Sequence, residues 1–324
     1  MLPTSAQPTS ASVSASATDA RAPAELPPRA GVVAVVGRAN VGKSSLINRL
    51  VGEKISIATP VAQTTRNLIR GVVNDPRGQL VLLDTPGLHR AESHLGQAIN
   101  RVARGAVTGV DAVLLVLDGA RKPRDTDAGW MRRLLFVRQP CLFALNKADL
   151  PDFDPAPYRE CLRAAEAAKE RSRAFPWLSV SAATGDGLDA LVEALFEAVP
   201  PGEPFFPADT VTDYPRKLAI ADVIREKCFG WLREELPHAL GVCVDDIREA
   251  GDHWRVAVSL YVQRESQKPI VIGPKGRMLR RIRRQAEPEL SAMFEVKVTL
   301  DMRVKAEKHW DRNYWILQRM GIEG

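Results

Sequence analysis

Gly37-Arg38-Ala39-Asn40-Val41-Gly42-Lys43-Ser44, followed by Ser45, combines residue types that handle phosphate. The Lys43 ammonium reaches β- and γ-phosphate oxygens as a point charge, and the Ser44 hydroxyl is the hard oxygen ligand that Mg²⁺ prefers. Downstream, Asp84-Thr85-Pro86-Gly87 offers a carboxylate to hold that metal through water and, in the Gly87 N–H, a donor for the γ-phosphate. Between them lies a polar, β-branched stretch, 56–66, whose Thr65 hydroxyl would complete the Mg²⁺ shell only when a γ-phosphate is present. Asn146-Lys147-Ala148-Asp149 addresses base identity. The Asp149 carboxylate accepts from guanine N1–H and N2–H₂, whereas adenine would leave it facing a bare acceptor. Lys147 would lie along the base plane, Asn146 would tie the loops together, and a backbone N–H of Ser181-Ala182-Ala183 would bond guanine O6.

Such chemistry needs a strand, a tight turn and a helix N-terminus aimed at the phosphates. The run 32–36 supplies the strand, and Leu46, Ile47 and Leu50 continue a helix that Gly52 ends. Strands are predicted at 67–74 and 79–83 about an Asp75-Pro76-Arg77-Gly78 turn, then at 113–117, 142–145 and 178–180, with a closing helix at 188–199. These make an α/β, doubly wound domain over 30–200. Proline-rich residues open a stiff linker, 201–214, before a second domain, 215–324. That domain reads α-β-β-turn-α-β. A helix covers 216–236, an alternating strand runs from Trp254 to Val262, and the turn is Gly273-Pro274-Lys275-Gly276. A basic helix follows to about Pro288, then a strand through Phe294, Val296 and on to Val304. Two glycines in that turn let a nucleic-acid backbone approach closely, and Arg277, Arg280, Arg281 and Arg284 behind it share one helix face that would neutralise phosphates.

Charge points to the same end. The 324 residues carry a formal net charge of +6, and residues 264–324 hold 14 Lys and Arg against 8 Asp and Glu, which is the whole excess. The four cysteines, Cys141, Cys161, Cys228 and Cys243, form no CxxC pair and have no His at zinc spacing, so they read as small hydrophobes in a reducing compartment. No apolar run reaches the ~18–20 residues of a membrane span. Residues 1–29, rich in Ala, Ser, Pro and Thr, read as a disordered tail. A transit peptide is the alternative, against which Asp19 and Glu25 weigh. A cytoplasmic chain is expected.

These ordered motifs, together with Ile272-Gly273-Pro274-Lys275-Gly276, resemble the Era family within the TrmE–Era–EngA group of bacterial GTPases, over about residues 31–320. The resemblance implies a P-loop GTPase domain followed by an α+β type II KH domain. Gln63-Thr64-Thr65-Arg66 is similar to that group's second motif, and Asp84-Thr85-Pro86-Gly87-Leu88-His89 to its third; Ala39 departs from the commoner proline. It also implies GTP and GDP as ligands, binding to the 3′ end of 16S rRNA, a role in 16S rRNA processing and 30S subunit biogenesis, a monomer, and loose peripheral membrane association. Asn40 resembles the group's K⁺ ligand, and Leu88 stands where Ras-like enzymes carry a water-orienting glutamine, so slow turnover by another route is expected. Two other classes stay open at this level. One is an RNA-modification GTPase, for which no further catalytic domain is visible; the other is a nucleotide-stabilised RNA chaperone.

Overall fold

The computed structural model describes residues 27–56, 67–87, 94–232, 236 and 240–322. The expected tail up to residue 26, the Gln63–Arg66 motif with Thr65, and the pair Leu88 and His89 lie outside the described residues.

The first domain alternates strand and helix: β1 (Arg29–Val36), α1 (Lys43–Val51), β2 (Ile69–Asp75), β3 (Gly78–Asp84), α2 (His94–Gly105), β4 (Ala112–Asp118), α3 (Asp125–Leu134), β5 (Cys141–Asn146), α4 (Ala156–Lys169), β6 (Trp177–Ser179) and α5 (Leu188–Ala198). The sheet order is β2-β3-β1-β4-β5-β6, with β2 antiparallel to β3 and the other pairs parallel. Helices cover both faces, so β1, β4 and β5 read as continuous apolar runs. On one face Ala34, Leu115 and Phe143 pack with Trp130, Met131 and Tyr158 of α3 and α4. On the other, Val35, Leu114 and Ala144 pack with Leu46, Ile47, Leu191 and Leu195 of α1 and α5. The parallel strands therefore end together, and the chain reverses direction about β1, which opens a crevice at their carboxyl ends. β1 starts at Arg29, the last residue of the expected tail.

The linker is pinned. Gly202 N–H donates to Pro28 O, Phe205 and Phe206 N–H both donate to the buried Gln79 Oε1, and Val72 N–H donates to Val211 O. Residues 200–212 thus cover the edge that β2 would otherwise present to solvent.

The second domain comprises α6 (Arg216–Trp231), β7 (Gly241–Ala250), β8 (His253–Val262), α7 (Lys268–Ile272), α8 (Arg277–Phe294), β9 (Lys297–Ala306) and α9 (Tyr314–Arg319). β8 pairs antiparallel with β7 and parallel with β9, and α6 and α8 bury Ile220, Ile224, Ile282, Ala286 and Leu290 on one face of this sheet. Three expectations need correction. α6 ends at Trp231 rather than 236. α8 runs through Pro288 to Phe294, because buried Ile282, Ala286 and Leu290 hold both sides of an exposed proline. Phe294 consequently packs on Trp254 from the helix, at 5.2 Å between ring centroids, and the last strand starts at Lys297. Helices α7 and α9 escaped the sequence pattern because each is under two turns long.

The domains share a core: Ile99 of α2 is buried with Cys243, Tyr261, Trp310, Ile316 and Met320. Asn67 Nδ2 donates to Tyr214 Oη and to Met320 O, and Lys54 Nζ reaches Glu226 at 2.9 Å and Glu289 at 2.6 Å. All four cysteines are free, and three are buried. No helix among the described residues is long and apolar enough to cross a membrane.

Candidate functional site

The loop between β1 and α1 turns through Asn40 at φ 64° and Gly42 at φ 100°, both left-handed. A Cβ on Gly42 would lie 2.2 Å from Asn146 Nδ2, so glycine is required by both its dihedral and its neighbour. Lys43 follows as the first residue of α1, its Nζ donating to Gly37 O at 3.3 Å and Arg38 O at 3.0 Å. Burial pushes its pKa down to about 8; the Asp84 charge resists and Arg38 adds to the fall. An anion here would meet an ammonium already stripped of water at a helix N-terminus.

Asp84 ends β3, fully buried, and its Oδ2 accepts from Ser44 Oγ at 2.7 Å. Its Oδ1 has no partner among the described residues. Burial raises its pKa, against the pull of Lys43 and of the Ser44 hydroxyl. An orphaned carboxylate oxygen beside a hydroxyl is a hard-oxygen pair that fits Mg²⁺. The Thr85 hydroxyl is occupied on Val35 O at 2.7 Å, so its side chain anchors the strand end, and Pro86 beside it is buried. A Cβ on Gly87 would come within 2.6 Å of Ala39 Cα, so glycine lets this backbone ride directly on the phosphate loop. Arg38 faces away, its Nε donating to Asp127 Oδ2 of α3 at 3.2 Å; its side chain holds the loop rather than a ligand. Val41 is fully buried and Ser45 half-buried on α1.

Asn146 ties three segments: its Nδ2 donates to Val41 O at 2.9 Å and its Oδ1 accepts from Ala182 N–H at 2.9 Å. Lys147, itself left-handed at φ 72°, is held by Asp118 Oδ2 at 2.7 Å and Asn40 O at 3.3 Å. Exposed Asp149 accepts from Ser181 Oγ at 2.6 Å, which aims its carboxylate and leaves it capacity for both donors of a base edge. The Ala182 N–H is committed to Asn146 Oδ1 and the Ser181 N–H to Asp186 O. Asp118 is a site residue the sequence reading missed; its signal was a carboxylate closing the apolar run of β4, as Asp84 closes β3.

In the second domain, Ile272 ends α7, and Gly273, Lys275 and Gly276 all take positive φ (72°, 50° and 72°), a sharp turn that Gly276 N–H closes on Gly273 O. A Cβ on Gly273 would strike Met278 Cβ at 2.7 Å. Arg277, Arg280, Arg281 and Arg284 line one groove together with Pro274, while Ile282 turns to the core.

The chain matches two family models: a 50S ribosome-binding GTPase over residues 32–147, and a KH domain over residues 235–311. It is 39% identical over 303 residues to the GTPase Era of Geotalea uraniireducens, covering 91% of this chain and 98% of the relative. It is 36% identical over 297 residues to the GTPase Era of Halothermothrix orenii, covering 91% and 99%. Among solved structures it is similar to Era in complex with MgGDPNP and nucleotides 1506–1542 of 16S ribosomal RNA, with a TM-score of 0.82, 32% identity, and 92% of this chain and all of that one covered. Aquifex aeolicus Era bound to GDP·AlF₄⁻ also has a TM-score of 0.82, at 31% identity over 91% of this chain and all of that one.

Proposed function

Because the chain belongs to the Era family of GTPases, we propose that it is a GTP-hydrolysing switch that binds the 3′ end of 16S rRNA and acts in 16S rRNA processing and 30S subunit biogenesis. The observation that carries this reading is the cluster of buried Lys43, the Ser44–Asp84 pair and the orphaned Asp84 Oδ1 at the carboxyl ends of the strands. Lys43 and the N–H groups of the loop from Gly37 to Ser45 hold the β- and γ-phosphates, and the Gly87 N–H senses the γ-phosphate. Ser44 and Asp84, with Thr65, would hold Mg²⁺, which would supply charge neutralisation for the transferring phosphoryl group. Asn146, Lys147 and Asp149 select guanine. Ile272 through Gly276 clamp an RNA backbone, and Arg277, Arg280, Arg281 and Arg284 neutralise its phosphates. The similar Era structure with MgGDPNP and nucleotides 1506–1542 of 16S rRNA supports this assignment.

Leu88 has no group to orient water, so slow turnover is expected, and Asn40, which resembles the group's K⁺ ligand, would hold a K⁺ whose charge would stand in for an arginine finger. Hydrolysis is expected to run faster in K⁺ than in Na⁺ at equal ionic strength, and Asn40→Ala to erase the difference. Equal wild-type rates in both salts remove the ligand role. The protein acts as a cytoplasmic monomer that touches the membrane only peripherally. Crosslinking to ribosomal RNA in the GTP- and GDP-loaded states tests the whole reading. Crosslinks confined to the 3′ end of 16S rRNA and dependent on nucleotide are expected; none at that end would overturn it.

A further inference from the structure

Trp231 closes α6 beside the first turns of α8, and between them lies a groove of about 830 Å³ bounded by Pro274 of the glycine turn. Arg277, Arg280, Arg281 and Arg284 line it without a carboxylate, and none of the four makes an ion pair among the described residues. The acids on the same two helices are already committed: Asp222 to Arg225, Glu226 and Glu289 to Lys54 and Lys227, and Glu287 to Arg283. Four like charges within two turns repel one another unless a polyanion offsets them. An aromatic contact also lines the groove. The Arg281 guanidinium sits 3.9 Å over the centre of the Trp231 indole, and that indole is fixed by its Nε1 donating to Gln285 Oε1 at 2.6 Å. A guanidinium held over a fixed indole offers a nucleobase a stacking partner in place before any ligand arrives.

We propose that this groove is a second RNA subsite. It takes one single-stranded nucleotide flanking the segment clamped by the Gly273–Gly276 turn, with the base on the Arg281–Trp231 stack and its phosphates on Arg277, Arg280 and Arg284. The proposal rests on the RNA-binding reading above. The test is fluorescence anisotropy of the full-length protein with single-stranded RNAs matching the 3′ end of 16S rRNA, each carrying one abasic replacement. Trp231→Leu is expected to weaken the unmodified RNA roughly tenfold. One abasic RNA, its missing base flanking the clamped segment, should bind the wild type more weakly and lose nothing further with Trp231→Leu. Trp231→Phe, which keeps a ring, should lose less, and circular dichroism and a melting temperature unchanged from wild type in both variants show that the second domain folds. Losses that simply add, or a Trp231→Leu protein within twofold of wild type, overturn the subsite. So does weakened binding to phosphatidylglycerol vesicles with RNA affinity intact, which would make the occupant a lipid surface. If Gly276→Asp abolishes RNA binding while Trp231→Leu is silent, the groove proposal alone fails; if Gly276→Asp is silent too, the RNA-binding reading fails with it.

Discussion

Two side chains are expected to decide which ligand the first domain takes. Asp149 is exposed but aimed by Ser181, and a carboxylate so placed rewards two donors on one base edge. Asp149→Asn is therefore expected to shift preference from guanine to xanthine nucleotides, whose C2 carbonyl matches the new amide donor. Competition binding reads this out, and a wild type that binds ATP as well as GTP would refute the base-recognition argument. Lys43 makes the site sensitive to pH. Its free pKa of about 8 lies below the ordinary 10.5 because burial disfavours the ammonium, and a bound phosphate favours it again. The bound pKa is thus the higher one, so affinity is full below about pH 8 and falls as pH rises through it. Titration calorimetry with GDP at pH 8.5 in two buffers of different ionisation enthalpy should show proton uptake. Identical heats in the two would mean that Lys43 stays protonated throughout.

At the scale of elements, α8 does two jobs on two faces. Ile282, Ala286 and Leu290 hold it to the sheet, which frees the arginine face for a ligand. Gly276 caps it at φ 72°, where a side chain is strained, although a Cβ there meets only the mobile end of Arg280 at 3.2 Å. Gly276→Asp is expected to cut RNA affinity sharply through backbone strain and misplaced negative charge, with GTP affinity intact. Arg280→Ala should act differently, lowering affinity for all RNAs and reducing the slope of log affinity against log salt by nearly one. Filter binding across a salt series separates the two.

At the scale of the molecule, the domains are not beads on a string. The linker lies against β2, Ile99 enters the second domain's core, and Lys54 joins α6 and α8 from the segment directly before the Thr65 stretch. Lys54 is 40% exposed, so its ion pairs add little stability, on the order of 1 kcal/mol or less. They still tie the segment just after α1 of the first domain to α6 and α8, and so offer a route by which nucleotide state would bias how α8 is presented. A non-hydrolysable GTP analogue and GDP are accordingly expected to give different RNA affinities. Lys54→Ala should shrink that difference while leaving GTP affinity within about twofold. An unchanged difference would place the coupling in the buried contacts around Ile99 instead.

The sequence alone determined the phosphate loop, the Asp84 and Asn146–Asp149 motifs, the strand order of motifs along the chain, and the glycine turn before a basic helix. These are legible because each depends on spacings of a few residues, with local dihedrals and strand-end chemistry dictating residue type. It misjudged the end of α8, because Phe294 and Val296 extend a period-two pattern while buried Leu290 keeps the helix going past Pro288. Only the tertiary structure decided which long-range partners these groups take. Asp118 meets Lys147 across 29 residues, Arg38 turns to Asp127 across 89, and Trp231 reaches Gln285 across 54. Nothing in local spacing encodes such contacts, since they follow from which sheet edges and helix faces the whole fold brings together.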